Sequence, residues 1–295
     1  MTDAPVLGFI GLGVMGGPMC RNVVAGHGAP VHAFDMNATA LAELEQAGAR
    51  PARSVAEVAA AAGIVFLSLP GGTQVAAVCD EIIAHGRTGT VVVDLSTTSV
   101  ADARAVAERL TAAGMAFADA PVARTRQAAQ QGTLSIMVGA SEALFARIAP
   151  LLGYMGSDVT LCGDVGCGQV VKLINNTLLF EHVAALAEMM VVAERAGVAP
   201  ATLLQAVSLG SGDSFALRNH GLKAMVPRAF PEKAFPAPYV LKDLGYAIEL
   251  AEQTGVEPKL PRLAAEYYQA AIDAGLGDKY FPAVVEVIGR GEPAA

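Results

Sequence analysis

The stretch Gly11-Leu12-Gly13-Val14-Met15-Gly16 decides how the first half of this chain is read. It matches G-x-G-x-x-G, a weak string by itself in a chain with 31 glycines. Its surroundings give it weight: an apolar run, residues 6–10, precedes it and a helical pattern follows. In that setting Gly11 permits a tight turn and Gly13 lets the backbone approach a pyrophosphate. Gly16 lets the helix lie close on the strand, so that its N-terminus meets the phosphate charge. Val14 and Met15 lie between these glycines and are counted with the same site.

Working outward, further apolar runs stand at residues 31–34, 64–69 and 91–95, and Leu69 at the end of one of them joins the cofactor set. Between the runs, Leu41, Leu44 and Ala47, then Val55, Val58 and Ala59, repeat at helical spacing. Strands that are apolar throughout are buried on both faces, as in a parallel sheet covered by helices. The fold class predicted is α/β: an N-terminal Rossmann doubly wound sheet over residues 1–164, with later strands at 116–119, 134–138 and 159–161. From 165 to 295 the pattern is an all-α C-terminal domain. It opens with one helix over 169–196, about 42 Å long at 1.5 Å per residue. Helices at 201–209, 219–225, 240–254, 260–274 and 281–288 follow. Residues 227–238 read as a Pro-rich loop and 289–295 as a frayed tail.

Asp35 closes the second run, where a carboxylate accepts hydrogen bonds from the adenosine ribose and repels a 2′-phosphate. No arginine follows in Met36-Asn37, so NAD is the expected cofactor, NADH being preferred over NADPH. Acidic residues outnumber basic ones 28 to 20, which argues against nucleic acid or an anionic membrane as a partner. The opening Met1-Thr2-Asp3-Ala4-Pro5 has neither a basic nor a long apolar segment, and no apolar run approaches a membrane span; a cytoplasmic location is expected. Neither the four cysteines nor the five histidines show metal spacing, so the cysteines are expected as reduced thiols and no metal site is expected.

Three segments carry chemistry. In Asp94-Leu95-Ser96-Thr97-Thr98, at the carboxyl end of a strand, Ser96 and Thr97 can bind substrate or nicotinamide, or cap the next helix. Lys172, Asn175 and Asn176 share one face of the long helix, where such polar groups are costly without partners. A lysine drawn into an apolar setting is suited to passing a proton to or from an alcohol oxygen. Arg124, in Asp119-Ala120-Pro121-Val122-Ala123-Arg124-Thr125, can pair with two oxygens of an oxyanion.

Together with Phe9 to Met19, Arg21-Asn22 and Lys242-Asp243-Leu244, these segments resemble the 3-hydroxyacid dehydrogenase family, which includes 3-hydroxyisobutyrate dehydrogenases. The resemblance runs from residue 6 to about 274. It implies an NAD-dependent oxidoreductase with Lys172 as general acid/base, Asn175 or Asn176 orienting substrate, and Ser96 and Thr97 lining the site. It also implies that Lys242 reaches cofactor or substrate, and that the helical domain supports a homodimer or homotetramer. Where most of the family has Ser-Gly-Gly, this chain has Ala123-Arg124-Thr125. That version is similar to 3-sulfolactaldehyde reductases, implying a small anionic substrate held by Arg124 and Thr125. A serine near Leu179 and a glycine at Ala123 are missing from that likeness. The alternatives are a 3-hydroxyisobutyrate or 4-hydroxybutyrate dehydrogenase and, from another class, a non-catalytic NAD-binding sensor.

Overall fold

The computed structural model describes residues 4–232 and 234–288. The first three residues of the opening segment and the tail expected at 289–295 lie outside the described residues. The chain forms two compact units, Met1–Lys172 and Leu173–Ala295.

The first unit is a Rossmann-like sheet with helices on both faces. Its early strands are β1 (Leu7–Ile10), β2 (Val31–Phe34), β3 (Arg50–Pro51), β4 (Ile64–Leu67), β5 (Val91–Asp94) and β6 (Ala116–Asp119). These run parallel in the order β3-β2-β1-β4-β5-β6. The sheet then changes direction: β7 (Val122–Ala123) and β8 (Leu134–Gly139) pair antiparallel, and β9 (Gly156–Gly163) runs parallel to β8. The two-residue strands β3 and β7 are additions to the expected set, too short for periodicity to show in the sequence.

Continuous apolar strands follow from the pleat, which sends successive side chains to opposite faces. Leu7, Phe9, Ile64, Phe66, Val91 and Val93 enter one core. Ile10, Val65, Leu67 and Val92 enter the other. On the first face α1 (Gly16–His27) contributes Met19, Cys20 and Val23, and α2 (Ala38–Gln46) contributes Leu44. On the second, α3 (Val55–Ala61), α4 (Gly72–His85) and α5 (Val100–Ala112) contribute Val58, Cys79, Ile82, Val106 and Leu110. Two shorter helices, α6 (Arg126–Gln131) and α7 (Glu142–Leu152), complete the first core with Ala129, Ile148 and Leu152.

A 29-residue helix, α8 (Cys167–Arg195), begins in the first unit and continues into the second. By length and composition alone it is apolar enough to cross a membrane, with a mean hydropathy of 1.3 in its most apolar window. This corrects the expectation that no apolar run approaches a membrane span: averaged over the helix, the few polar residues are outweighed by the apolar ones. The second unit is helical: α9 (Pro200–Val207), a π-helix Leu217–Met225, α10 (Ala237–Gln253), α11 (Lys259–Ala271) and a 3-10 helix Phe281–Glu286. Its core is aliphatic around a cluster of three buried aromatic rings, Phe180, Tyr268 and Phe281. The Phe180 ring lies 5.5 Å from Phe281, and the buried Tyr268 hydroxyl donates to the Phe180 carbonyl at 3.0 Å. The turn expected as an α-helix at 219–225 is the π-helix, and there His220 is buried with its Nδ1 2.8 Å from the Tyr280 hydroxyl.

Candidate active site

The glycine turn is built by close approach. Gly11 has φ +94°, and a Cβ on it would lie 2.2 Å from the Ser68 carbonyl oxygen. A Cβ on Gly16 would lie 2.1 Å from the Gly11 carbonyl oxygen, so α1 rests directly on the turn. Gly13 differs: nothing lies within 4 Å of where its Cβ would be. Met15 precedes α1 and offers no side-chain cap, and Val14 is half exposed beside it. First-turn amides with no side-chain acceptor and an open approach over Gly13 are what a pyrophosphate requires.

Asp35 is fixed just past β2. One carboxylate oxygen accepts the Leu12 amide at 2.6 Å and the other the Asn37 amide at 2.7 Å. Asn37 in turn caps α2 through the Thr39 and Ala40 amides. A cleft of about 500 Å³ opens beside it, lined by Phe34, Asp35, Met36, Leu41, Ala52 and Arg53 among others. Glu57 also lines it, its carboxylate accepting the Arg53 amide at 2.8 Å. A largely apolar cleft with the Asp35 carboxylate fixed at its edge suits an adenosine, and these residues fit a dinucleotide.

At the carboxyl end of β5 the chain is held from several sides. The Ser96 hydroxyl accepts the Leu69 amide at 2.9 Å, while the Ser96 amide donates to Asp94 at 3.0 Å. Ser96 and Thr97 do not cap α5; Ser99 does, accepting the Asp102 amide at 2.9 Å. Two residues to which sequence reading gave no role close the arrangement. Gln169, fully buried, donates through Nε2 to the Ser96 carbonyl at 2.8 Å and accepts the Thr98 amide at 3.2 Å. Asp119, also fully buried, accepts the Gly166 amide at 2.7 Å and the Gln169 amide at 2.8 Å, anchoring the start of α8. Burial pushes the Asp119 carboxyl upward in pKa, and those backbone hydrogen bonds oppose the shift. Lys172, only 8% exposed, follows Gln169 by three residues on α8.

In the helical unit a second polar chain forms. The Asn175 amide donates to Asn176 Oδ1 at 3.1 Å, and Asn176 Nδ2 donates to Asp243 at 2.7 Å. Lys242 Nζ lies 3.2 Å from the other Asp243 oxygen and 5.4 Å from the Tyr246 ring centroid. Sequence reading singled out Lys242 and both asparagines but gave no role to Asp243, which joins them from 67 positions beyond Asn176.

Arg124 and Thr125 are engaged elsewhere. Because β8 runs against β6 and β7, its start and that of β9 fall at the ligand end of the sheet. There Arg124 donates to the Thr133 carbonyl at 2.6 Å and to the Ser157 hydroxyl at 3.0 Å, and pairs with Asp158 at 2.8 Å. The Ser157 hydrogen bond, then Arg124, hold the Asp158 carboxyl below its usual pKa. Arg124 also has φ +87°, a left-handed conformation in which glycine is at home. The Thr125 hydroxyl caps α6, accepting the Ala128 amide at 3.3 Å.

Among the described residues no three His, Cys, Asp or Glu side chains gather as a metal site, and the four cysteines are free thiols.

Comparison with known proteins agrees with this geometry. Residues 6–163 match the family described as the NAD binding domain of 6-phosphogluconate dehydrogenase. Residues 166–288 match that described as NAD-binding of NADP-dependent 3-hydroxyisobutyrate dehydrogenase. The chain is 35% identical to 2-(hydroxymethyl)glutarate dehydrogenase of Eubacterium barkeri, over 97% of this chain and 96% of the relative. It is 32% identical to the mitochondrial 3-hydroxyisobutyrate dehydrogenase of Mus musculus, over 99% and 90%. Among solved structures, the Mycobacterium tuberculosis 3-hydroxyisobutyrate dehydrogenase with L-serine superposes with a TM-score of 0.89 at 32% identity, over 97% and 99%. A glycine turn, a carboxylate fixed just past β2 and a buried lysine, in a chain matched along nearly its whole length, place this protein in the 3-hydroxyisobutyrate dehydrogenase-like family of NAD(P)-dependent hydroxyacid dehydrogenases.

Proposed function

We propose that this enzyme interconverts a small anionic 3-hydroxy acid and its aldehyde, with NADH preferred over NADPH and Lys172 as general acid/base. The observation that carries this reading is Lys172, buried on a helix whose first turn is tied to Ser96, Thr98 and Asp119. A bound nicotinamide supplies the hydride in reduction and takes it in oxidation. Lys172 gives its proton to the carbonyl oxygen as negative charge develops there, and takes it back in the reverse direction. The Ser96 hydroxyl, already accepting from Leu69, keeps its own proton to donate to a substrate oxygen. Asn176, its amide held between Asn175 and Asp243, orients substrate through that amide. Asp35 favours NADH by its charge beside the ribose.

The relatives named for 2-(hydroxymethyl)glutarate and 3-hydroxyisobutyrate, and the one solved with L-serine, share a chemistry. In each acid a CH₂OH sits on the carbon that bears the carboxylate, which favours a carboxylate substrate here. Arg124 favours a second reading, a sulfonate such as 3-sulfolactaldehyde. A sulfonate would have to displace Asp158, but an ion pair with side chains 41% and 56% exposed is screened by solvent and holds Arg124 only weakly. Exposed Ile174, Leu178, Met189 and Val192 along α8 support a homo-oligomer, which light scattering tests directly.

Initial rates of NADH oxidation with 3-sulfolactaldehyde, methylmalonate semialdehyde and succinate semialdehyde separate the readings. A kcat/KM advantage of about a hundredfold, roughly 2.7 kcal/mol, for the sulfonate establishes the sulfonate enzyme. An equal or faster rate with a carboxylate assigns the carboxylate class. Turnover of none of the three extends the panel to the aldehyde of 2-(hydroxymethyl)glutarate, the acid for which one relative is named, and NADH binding without turnover of any of them supports the NAD-binding sensor.

A further inference from the structure

We propose that Gln169 is a positioning residue that sets Lys172 against the Ser96-Thr97-Thr98 segment. This rests on the reading of Lys172 as general acid/base. Three polar groups of Gln169 reach three different partners. Its backbone amide donates to Asp119, its Nε2 to the Ser96 carbonyl, and its Oε1 accepts the Thr98 amide. The side-chain carboxamide thus meets a carbonyl at one residue and an amide two residues on, as a neighbouring strand's peptide group does. It brackets Thr97 and fixes the backbone on either side of it.

The other contacts at Ser96 make the bracket stiff. Its amide is held by Asp94 and its hydroxyl by the Leu69 amide, so with Gln169 on its carbonyl all three polar groups are engaged. On α8, residues three apart lie on one face, about 4.5 Å along the axis at 1.5 Å per residue. Lys172 therefore takes its height and direction from the turn that Gln169 and Asp119 anchor. Gln169 has no exposed surface, so its effect on turnover passes through the groups it orients. A reacting group misplaced by about 1 Å can cost on the order of a hundredfold in rate.

The test compares Q169A, Q169E and K172M in the full-length enzyme, with NADH and the fastest aldehyde from the panel above. Q169A is expected to lower kcat about 10- to 100-fold, with the NADH dissociation constant, read by nucleotide fluorescence, within about twofold of wild type. Q169E keeps an acceptor for the Thr98 amide but sets a carboxylate against the Ser96 carbonyl. Its kcat should recover toward wild type as the pH falls and the new carboxyl gains the proton that it donates to Ser96. A structural residue would change thermal stability and the fraction of active enzyme but leave kcat per NADH-binding site and its pH profile as in wild type; that result overturns the proposal. If Q169A does not fold, the Q169E pH profile alone decides. K172M separates the two ideas: activity in K172M sinks the general acid/base reading itself. An inactive K172M beside unaffected Gln169 variants sinks only the positioning role.

Discussion

Replacing Arg124 by alanine and, separately, by glycine removes the same guanidinium while treating the backbone differently. Both variants lose the Asp158 ion pair and the hydrogen bonds to Thr133 and Ser157. Alanine keeps the cost of φ +87°, about 1–2 kcal/mol for a residue with a Cβ. Glycine is relieved of it but loses roughly 0.4–1 kcal/mol through the greater freedom of the unfolded chain. The balance leaves R124G more stable than R124A by about 0.5–1 kcal/mol. At roughly 2–4 °C per kcal/mol for a unit of this size, R124G should melt about 1–4 °C higher. The chain has no tryptophan, so circular dichroism or calorimetry is the suitable probe. Kinetics supply the second arm. A charge-assisted hydrogen bond to a substrate anion contributes about 1.5–3 kcal/mol, reduced by the need to displace the exposed Asp158. Both variants should therefore raise KM for anionic aldehydes about tenfold, and equally. Equal melting temperatures would refute the backbone argument, and an unchanged KM in R124G would refute the clamp.

Lys172→Met should lower kcat by about 10²–10⁴-fold while a fluorescence titration shows NADH binding within twofold of wild type; retained turnover contradicts its role. Asp35→Ser should raise KM for NADH and cut the preference over NADPH by about tenfold or more, read from the ratio of the two kcat/KM values; an unchanged ratio removes Asp35 from cofactor selection. Burial pushes His220 down to a pKa of about 4, with the nearby Lys223 charge adding to the shift. The folded state then resists protonation that the unfolded chain accepts from its ordinary pKa of about 6.5. Stability linked to His220 is complete above pH 6.5 and is lost as the pH falls toward 4, up to about 3 kcal/mol in all. Urea midpoints at pH 7 and 4.5 should fall further apart in wild type than in H220F, and parallel shifts would contradict this.

The parallel part of the sheet, apart from the exposed two-residue β3, was legible because its signals are local. A strand buried on both faces is apolar at every position, and Asp35 stands within one βαβ unit of the glycines it serves. The family resemblance likewise rests on short contiguous strings. Pairings across long separations were not legible. Asp119 reaches α8 from 47 and 50 positions away, and Gln169 reaches Ser96 from 73. Asp119 and Gln169 each look ordinary in isolation; only the folded sheet brings the end of β6 beneath the start of α8. Arg124 shows the same limit from the other side. Its charge was legible, but the carboxylate that meets it lies on β9, beyond an intervening strand. The π-helix at His220 escaped because its repeat differs from the α-helix by one residue in the hydrogen-bonding step, too little for apolar spacing to show over nine residues.

Helix α8 also gives this chain a phase that insertions and deletions must respect. From Gln169 to Lys172 the helix is unbroken, so each added residue advances the axis by about 1.5 Å and turns it by about 100°. One residue inserted there would carry the lysine a quarter-turn and more away from Ser96, and two would place it nearly opposite. An insertion of four restores the face within about 40° but leaves the amine about 6 Å too far along. Point substitutions can be absorbed side chain by side chain; a change of length in these few positions has no compensating direction, so homologues that conserve the chemistry should differ in length on either side of this turn and not within it.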